Sequence, residues 1–247
     1  MRVTPFPADK ITKIKKSIDR ALKDGATPIA AFDADGTLWN MDMGEHFFDY
    51  QVRNRLLPGL PDDPWAHYRK LHKEHAPTAF LWLAQINEGQ TLKQVQQWSQ
   101  KAFQEINPVP TFPGVVEILR HLQKSDVAVY VVTASITWSV EPGAEFLGIP
   151  RENVIGVQTK VHKGLICGEQ DGVVTWREGK VTGLLNVTER RLPFFAAGNT
   201  LGDLPLLDSA SHIRLANHAA PPGNVNFETE SRLVEIAKTR GWFFHAY

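Results

Sequence analysis

The stretch Pro28-Ile29-Ala30-Ala31-Phe32-Asp33-Ala34-Asp35-Gly36-Thr37 decides the fold of this 247-residue chain. Its short apolar run stops abruptly at Asp33, which is typical of a buried parallel strand that reaches the edge of its sheet. If the strand extended through Asp33 and Asp35, their side chains would share one face. Two carboxylates so placed are costly unless something pairs with them, and a hard cation with oxygen ligands would do so. The alternative is an exposed turn, since Asp-Gly-Thr is common turn chemistry.

Two later segments repeat this pattern of an apolar run that ends at small or polar residues. The run 127–132 ends before Thr133, and the run 193–197 ends before Gly198. Each is followed by a segment compatible with a helix, which predicts an α/β fold with a doubly wound, Rossmann-like parallel sheet. Ligands of such sheets bind beyond the carboxyl ends of the strands. We therefore expect the chemistry where these three strands end.

The region between the first two strands has a different pattern. Its apolar residues recur at helical spacing, Thr91-Leu92-Lys93-Gln94 fits a capping box, and Asn87-Glu88-Gly89 fits a helix stop. We predict an all-helical cap domain over residues 41–107, inserted after the first strand. The core domain would then comprise residues 1–40 and 108–247.

The rest of the core is predicted to alternate helices and strands, with one hairpin. The predicted elements are a helix over Ile11–Leu22, a helix from Pro113 to about Lys124, a strand over Val154–Val161, a β-hairpin within Leu165–Gly179, a helix from Lys180, a short helix near Leu204, a strand over Ile213–Ala216 and a helix around Arg232–Lys238.

Composition limits the kinds of partner. Lys and Arg total 27 and Asp and Glu total 27, so the chain lacks the basic excess of most nucleic-acid-binding proteins. No uncharged stretch approaches the roughly 18 residues that a bilayer span requires. The amino terminus, Met1-Arg2-Val3-Thr4-Pro5, lacks the apolar run of a signal peptide. We expect a cytoplasmic protein with neither a membrane span nor a nucleic-acid partner, and its oligomeric state stays open.

Four segments resemble the motifs of the haloacid dehalogenase superfamily, in the same order along most of the chain. They are Phe32-Asp33-Ala34-Asp35-Gly36-Thr37-Leu38-Trp39, Val131-Val132-Thr133-Ala134-Ser135, Gly179-Lys180 and Gly198-Asn199-Thr200-Leu201-Gly202-Asp203. The resemblance implies a phosphomonoester hydrolase that depends on Mg²⁺ and acts through an aspartyl-phosphate intermediate.

The resemblance also implies roles for individual residues. Asp33 would be the nucleophile, and Asp35 would protonate the leaving oxygen and then take a proton from water. This division requires a raised pKa at Asp35 while Asp33 stays ionised. The Thr133 hydroxyl would hold a phosphate oxygen, and Lys180 would neutralise the nucleophile and the phosphate. The implied ligands of Mg²⁺ are Asp33, Asp35, Asn199 and Asp203.

One residue departs from the family pattern. Asn199 stands where the family usually has an aspartate, so its amide oxygen remains available to a metal but one negative charge is missing. The alternative hypothesis is a catalytically impaired protein that binds a phosphorylated small molecule. The other motif residues are retained, which argues against that alternative: Asp33, Asp35, Thr133, Lys180 and Asp203.

The helical insertion resembles the phosphoserine phosphatase-like branch, which includes phosphorylcholine and phosphoethanolamine phosphatases. The implied substrate is a small phosphomonoester, and a phosphorylcholine-, phosphoethanolamine- or phosphoserine-like ester is the hypothesis. Asp42 and Glu45 would bind the ammonium group of such a substrate. The alternative, given equal weight, is that they are the acidic residues that helix N-termini favour. Trp39 and Trp138 are expected near the cleft mouth, where aromatic faces bind quaternary ammonium groups. Core packing is the alternative for these tryptophans.

Overall fold

The computed structural model describes residues 4–247, so residues 1–3 of the amino-terminal stretch lie outside the described residues. Within this range, one sheet contains seven strands and is flanked by helices. The strands are β1 (Ile29–Phe32), β2 (Ala128–Ile136), β3 (Val154–His162), β4 (Leu165–Asp171), β5 (Phe195–Gly198), β6 (Ile213–His218) and β7 (Phe243–Ala246). The helices are α1 (Ala8–Lys23), α2 (Met43–Arg53), α3 (Pro64–Gln85), α4 (Leu92–Gln104), α5 (Pro113–Lys124), α6 (Thr137–Phe146), α7 (Glu178–Val187), α8 (Leu204–Ser209) and α9 (Phe227–Thr239).

The strand order is β4-β3-β2-β1-β5-β6-β7, and all neighbours pair in parallel except β3 and β4. The predicted α/β fold with a doubly wound parallel sheet is therefore confirmed. β1 lies in the middle, where Phe32 is opposite Val131 of β2 and Ala197 of β5. This register brings the ends of the three predicted strands together at one edge.

Helices cover both faces of the sheet. α1, α5 and α6 pack on one face, and α7, α8 and α9 pack on the other. The apolar stripe of α1 explains its docking, because Ile11, Ile14 and Ile18 are all buried. α5 begins at Pro113 as predicted, since proline suits the first turn of a helix.

The three helices that follow β1 form their own hydrophobic cluster over the sheet edge. Its buried members include Phe47, Phe48 and Val95, and Trp138 of the core belongs to the same cluster. α3 is kinked, because His75 is non-helical and Pro77 offers no N–H to the helix. The helices lie within the predicted span 41–107, and the division into two domains at these bounds stays a prediction.

The β-hairpin differs from its predicted position. Its strands are β3 and β4, and residues 172–177 connect β4 to α7 instead of forming a second strand. The turn lies at Lys163 and Gly164, both of which have positive φ, as two-residue hairpin turns require. The chain end also differs, because the short edge strand β7 was not predicted.

The helical region is hydrogen-bonded to this hairpin. Gly89 donates its N–H to the Ile166 carbonyl, and the Ile166 N–H donates to the Gln90 carbonyl, both at 2.9 Å. Next to this contact Thr91 caps α4 as predicted, since its hydroxyl accepts from the Gln94 N–H at 3.1 Å. The connection between α3 and α4 is thus fixed to β4 by main-chain bonds.

Among residues 4–247, no helix combines the length and the apolar character that a membrane span would need.

Candidate active site

A buried cluster of three charged side chains lies at the end of β1. The Lys180 ammonium donates to Asp33 Oδ1 at 2.6 Å and to Asp203 Oδ1 at 2.5 Å. Lys180 reaches this point from the first turn of α7, and Asp203 from the turn that follows β5. The structure therefore brings together three residues that the motifs predicted, although they lie far apart in the sequence.

The charges of this cluster depend on one another. Burial and the charge of Asp203 raise the pKa of Asp33 to about 7, although the Lys180 ammonium opposes this shift. Burial lowers the pKa of Lys180, but the charges of Asp203 and Asp33 outweigh it and raise that pKa above its usual value. Because the pKa of Lys180 exceeds that of Asp33, Lys180 carries the proton of this pair. Asp33 is therefore the carboxylate of the ion pair.

The chain turns sharply immediately after Asp33. The Thr37 hydroxyl donates to Asp33 Oδ2 at 2.9 Å, and the Leu38 N–H donates to the Ala34 carbonyl at 2.8 Å. Gly36 has a φ of +77°, a conformation that favours glycine. The strand therefore does not extend through Asp35, and the conditional prediction that Asp33 and Asp35 share one strand face does not apply.

Asp35 instead turns its carboxylate toward the helical region. Trp39 Nε1 donates to Oδ1 at 2.7 Å, the Met43 N–H donates to Oδ1 at 2.9 Å, and the Ser135 hydroxyl donates to Oδ2 at 2.7 Å. Burial and the charge of Asp42 raise the pKa of Asp35 to about 7, and the three hydrogen bonds limit this rise. A carboxyl group with this pKa can both give and take a proton near neutral pH.

Thr133 lies on β2, which continues to Ile136 instead of ending at residue 132. Its hydroxyl oxygen accepts from the Ser135 N–H at 3.0 Å, and its carbonyl accepts from the Thr175 hydroxyl at 2.5 Å. The main chain on both sides of Thr133 is thereby held in place. The hydroxyl proton of Thr133 can be donated to a bound anion.

The four residues predicted as metal ligands do not all turn a side-chain oxygen to one point. The carboxylate of Asp35 is taken up by the donors described above. Asp203 Oδ1 faces Lys180, and its Oδ2 accepts from the Asn199 N–H at 3.1 Å and from the Thr200 N–H at 2.9 Å. Within residues 4–247, no group of three or more His, Cys, Asp or Glu side chains is placed to hold a metal. Asp203 thus stabilises its own turn and positions Lys180.

Asp33 and Asn199 are the better fit for a cation. Asp33 Oδ2 and Asn199 Oδ1 lie 2.9 and 3.4 Å from the same Thr37 hydroxyl, so a carboxylate oxygen and an amide oxygen lie close together. Asn217 Nδ2 donates to the main-chain carbonyl of the same Thr37 at 3.2 Å, and the buried Asn217 Oδ1 has no hydrogen-bond partner among the described residues. Such a set of oxygens suits a hard cation such as Mg²⁺.

Asp42 and Glu45 lie at the start of α2, next to Asp35. Asp42 is the N-cap of that helix, because its Oδ1 accepts from the Glu45 N–H at 2.7 Å. Crowding by protein atoms and the charge of Glu45 raise the pKa of Asp42, whose side chain nevertheless stays accessible to solvent. Burial and then the charges of Asp42 and Glu45 raise the pKa of the Tyr68 phenol. The capping role is therefore observed, and the helix start also carries an accessible acidic cluster.

The two tryptophans are both buried. Trp39 has 0% of its surface exposed and acts as a hydrogen-bond donor to Asp35, and Trp138 is 3% exposed within the cluster under the helices. Neither ring offers a free face to a substrate, which favours the core-packing alternative. Tyr68 is the aromatic residue beside the acidic cluster, but it is also buried, at 5% exposed, and it packs against Phe48 and Trp65.

Sequence reasoning gave no role to three residues around this site, although one of them, Ser135, lies within the second motif. Ser135 alternates with Thr133 along β2, and this period of two was the available signal for it. Tyr68 lies in α3 and Glu230 in α9, both distant from every motif. Glu230 Oε1 accepts from Asn199 Nδ2 at 2.8 Å, and no local sequence pattern predicts this contact.

Comparison with known proteins identifies relatives of the whole arrangement. A family model described as haloacid dehalogenase-like hydrolase matches residues 30–208. The phosphorylcholine phosphatase of Pseudomonas aeruginosa is 23% identical, over 79% of this chain and 74% of its own length.

Solved structures share the fold. A crystal structure of a protein from Bordetella pertussis Tohama I aligns with a TM-score of 0.70 at 21% identity, covering 87% of this chain and 96% of that one. An apo crystal structure of phosphoserine phosphatase aligns with a TM-score of 0.52 at 14% identity, covering 82% and 90%. At these identities the likeness concerns the fold alone.

Proposed function

The chain belongs to the haloacid dehalogenase-like hydrolases, as its motifs indicated, and on this premise we propose that it is a Mg²⁺-dependent phosphomonoester hydrolase. The family match and the phosphatase named among its relatives support a phosphatase. One observation carries the proposed mechanism: the two carboxylates of the first motif have different surroundings. Asp33 is paired with an ammonium group, whereas Asp35 is held by three neutral donors.

These surroundings suit two chemical roles. In the first step an oxygen of Asp33 attacks phosphorus, the bond from phosphorus to the leaving oxygen breaks, and Asp35 gives that oxygen its proton. In the second step water attacks the aspartyl-phosphate, Asp35 takes a proton from the water, and the Asp33 carboxylate and inorganic phosphate are released. Each group returns to its starting state, so the atoms and protons balance over the cycle.

Two further residues act on the phosphoryl group. Lys180 offsets the negative charge that gathers as Asp33 approaches the phosphate, because a buried ammonium is a strong electrostatic partner. Thr133 donates its hydroxyl proton to a phosphate oxygen. Mg²⁺, when bound, supplies further positive charge to the phosphate and the nucleophile. The oxygens proposed to hold it belong to Asp33 and Asn199, whose positions around Thr37 support this choice.

We propose a small phosphomonoester that carries an amine as the substrate. Asp42 and Glu45 form an acidic cluster beside Asp35, and the Asp42 side chain is accessible to solvent. Accessible carboxylates attract the positive charge of an ammonium group, which supports an amine-bearing substrate. The proposed candidates are phosphorylcholine, phosphoethanolamine and phosphoserine, and the hypothesis fails if turnover of these esters does not exceed that of esters without an amine.

The central proposal is tested by hydrolysis of phenyl phosphate with and without Mg²⁺, in the wild type and in Asp33→Asn. We expect turnover by the wild type only with Mg²⁺, and none above background by the variant. Rapid quenching with ³²P-labelled ester should give a labelled chain in the wild type alone. Asp62→Asn, an exposed aspartate in the connection before α3, is the matched control and should behave as the wild type.

Two outcomes would contradict the proposal. Equal turnover by the wild type and Asp33→Asn would exclude Asp33 as the nucleophile. Binding of ester and Mg²⁺ without turnover by the wild type would indicate the impaired binding protein that Asn199 raised as an alternative.

A further inference from the structure

Asn199 and Glu230 form a buried pair behind the proposed metal site. Asn199 is 3% exposed and Glu230 is 2% exposed, and Asn199 Nδ2 donates to Glu230 Oε1 at 2.8 Å. The other oxygen of Glu230 accepts from the Ala219 N–H and from the Ala220 N–H, both at 2.8 Å. Both oxygens of the Glu230 carboxylate thus accept hydrogen bonds from N–H donors.

This contact decides which end of the Asn199 amide faces the site. An amide has a donor end and an acceptor end of nearly equal size, whereas a carboxylate only accepts. Glu230 therefore binds the NH₂ end, and Oδ1 turns toward the Thr37 hydroxyl and Asp33. Gly36 packs directly against Asn199, since a Cβ at Gly36 would collide with the amide nitrogen. The side chain has little room to swing away.

The charge of Glu230 points to the same arrangement. Across residues 4–247, no lysine, arginine or histidine lies within ion-pair distance of this buried carboxylate. A buried charge without a counter-charge is costly. A cation held by Asn199 Oδ1 would be the missing counter-charge, separated from the Glu230 carboxylate by the Asn199 amide.

We propose that Glu230 is the positioning residue for Asn199, and that the two together replace the aspartate expected at position 199. Glu230 supplies the missing negative charge, but one hydrogen bond further from the metal than an aspartate at position 199 would. It also fixes the Asn199 amide so that the amide oxygen is the ligand. This inference rests on the proposed function, because it concerns the metal of the same site. An aspartate at position 199 would instead place two carboxylates 2.8 Å apart.

Three variants test the pairing, because the Ala219 and Ala220 N–H groups dictate how a glutamine at position 230 is oriented. Its oxygen must face those two donors, so its NH₂ group faces residue 199. In Glu230→Gln this NH₂ meets the NH₂ of Asn199, and the amide of Asn199 must flip. In the double variant Asn199→Asp with Glu230→Gln, the same NH₂ donates to the new carboxylate.

The first readout is the affinity for Mg²⁺ alone, measured by calorimetric titration without substrate. Loss of a residue that orients a metal ligand commonly costs about 10- to 100-fold in affinity, and we expect this loss in Glu230→Gln and in Asn199→Asp. The double variant should recover to near the wild-type affinity. Glu228→Gln, an exposed glutamate of the same helix, is the control and should leave the affinity unchanged.

A second readout does not involve the metal. The side-chain NH₂ of Asn199 should exchange slowly with solvent in ¹H–¹⁵N spectra of the wild type and rapidly in Glu230→Gln. Equal exchange in both proteins, wild-type Mg²⁺ affinity in Glu230→Gln, or a double variant no better than either single variant would overturn the proposal. A wild type that binds no Mg²⁺ yet shows the protected NH₂ would refute the proposed function while supporting the orientation of Asn199 by Glu230. Failure of the single variants to fold, with a folded double variant, would also support the pairing.

Discussion

Replacing Lys180 with methionine tests whether burial, rather than distance, sets the strength of an ion pair in this protein. The substitution keeps the length of the side chain and removes its charge. Lys180 lies 2.6 Å from Asp33 and 2.5 Å from Asp203, and the three side chains are 3%, 8% and 2% exposed. Without the ammonium, two carboxylates would remain buried beside each other.

The expected loss follows from that burial. Removing one partner of a buried ion pair costs about 3–5 kcal/mol, because the remaining charge has lost both its partner and its solvent. The melting temperature of a domain of this size moves by about 2–4 °C per kcal/mol, so Lys180→Met should melt about 6–20 °C lower. Lys160→Met is the matched control. Its ammonium lies 2.5 Å from Glu169, but the two side chains are 52% and 70% exposed, so we expect almost no change.

The loss should depend on pH in a defined direction. Without Lys180, the pKa of folded Asp33 lies still further above its unfolded value, so the folded state binds more protons than the unfolded state. Stability then falls as pH rises through the folded pKa. Lys180→Met should therefore be least stable at pH 8 and should regain stability toward pH 5.

The melting temperature is measured by thermal denaturation and the free energy of unfolding by urea denaturation, both followed by tryptophan fluorescence at pH 8 and at pH 5.5 with a chelator present. Equal losses in Lys180→Met and Lys160→Met would refute the argument from burial. A loss in Lys180→Met that is the same at both pH values would refute the argument from the remaining carboxylates.

Two predictions concern Asp35 and Asp42. Ser135→Ala removes a hydrogen bond that lowers the pKa of Asp35. In the wild type, kcat/KM for an alkyl phosphate should fall near pH 7, where Asp35 loses its proton. In Ser135→Ala this fall should move to higher pH. A pH profile with an unmoved limb would contradict the role of Asp35 as the acid. Asp42→Asn keeps an oxygen to cap α2 but removes the charge, so KM for phosphorylcholine should rise about tenfold, equivalent to about 1.4 kcal/mol, while KM for phenyl phosphate stays constant. The matched control is Asp63→Asn, which changes the corresponding N-cap of α3, and a similar rise in this control would count against an ammonium site at Asp42.

The helical and strand patterns of the core were predictable because they arise from local periodicity. The apolar run before Asp33 needed only burial on both faces to be recognised as a central strand, and it is one. The hairpin was misplaced because the composition of residues 172–179 also suits a turn into a helix. β7 was missed because four residues at a sheet edge carry too little pattern to distinguish them from a coil.

The sequence alone determined which residues stand at the strand ends, since strand polarity and a parallel sheet bring Asp33, Thr133 and Asn199 to one edge. The direction of each side chain was decided only by the tertiary structure. Asp35 faces away from the oxygens proposed to hold the metal, and Ser135, one hundred positions away, donates a hydrogen bond to it there. Asn199 presents its oxygen because Glu230 binds its nitrogen. A hydrogen bond depends on which segments become neighbours and in what register, and no local pattern of residues contains that information.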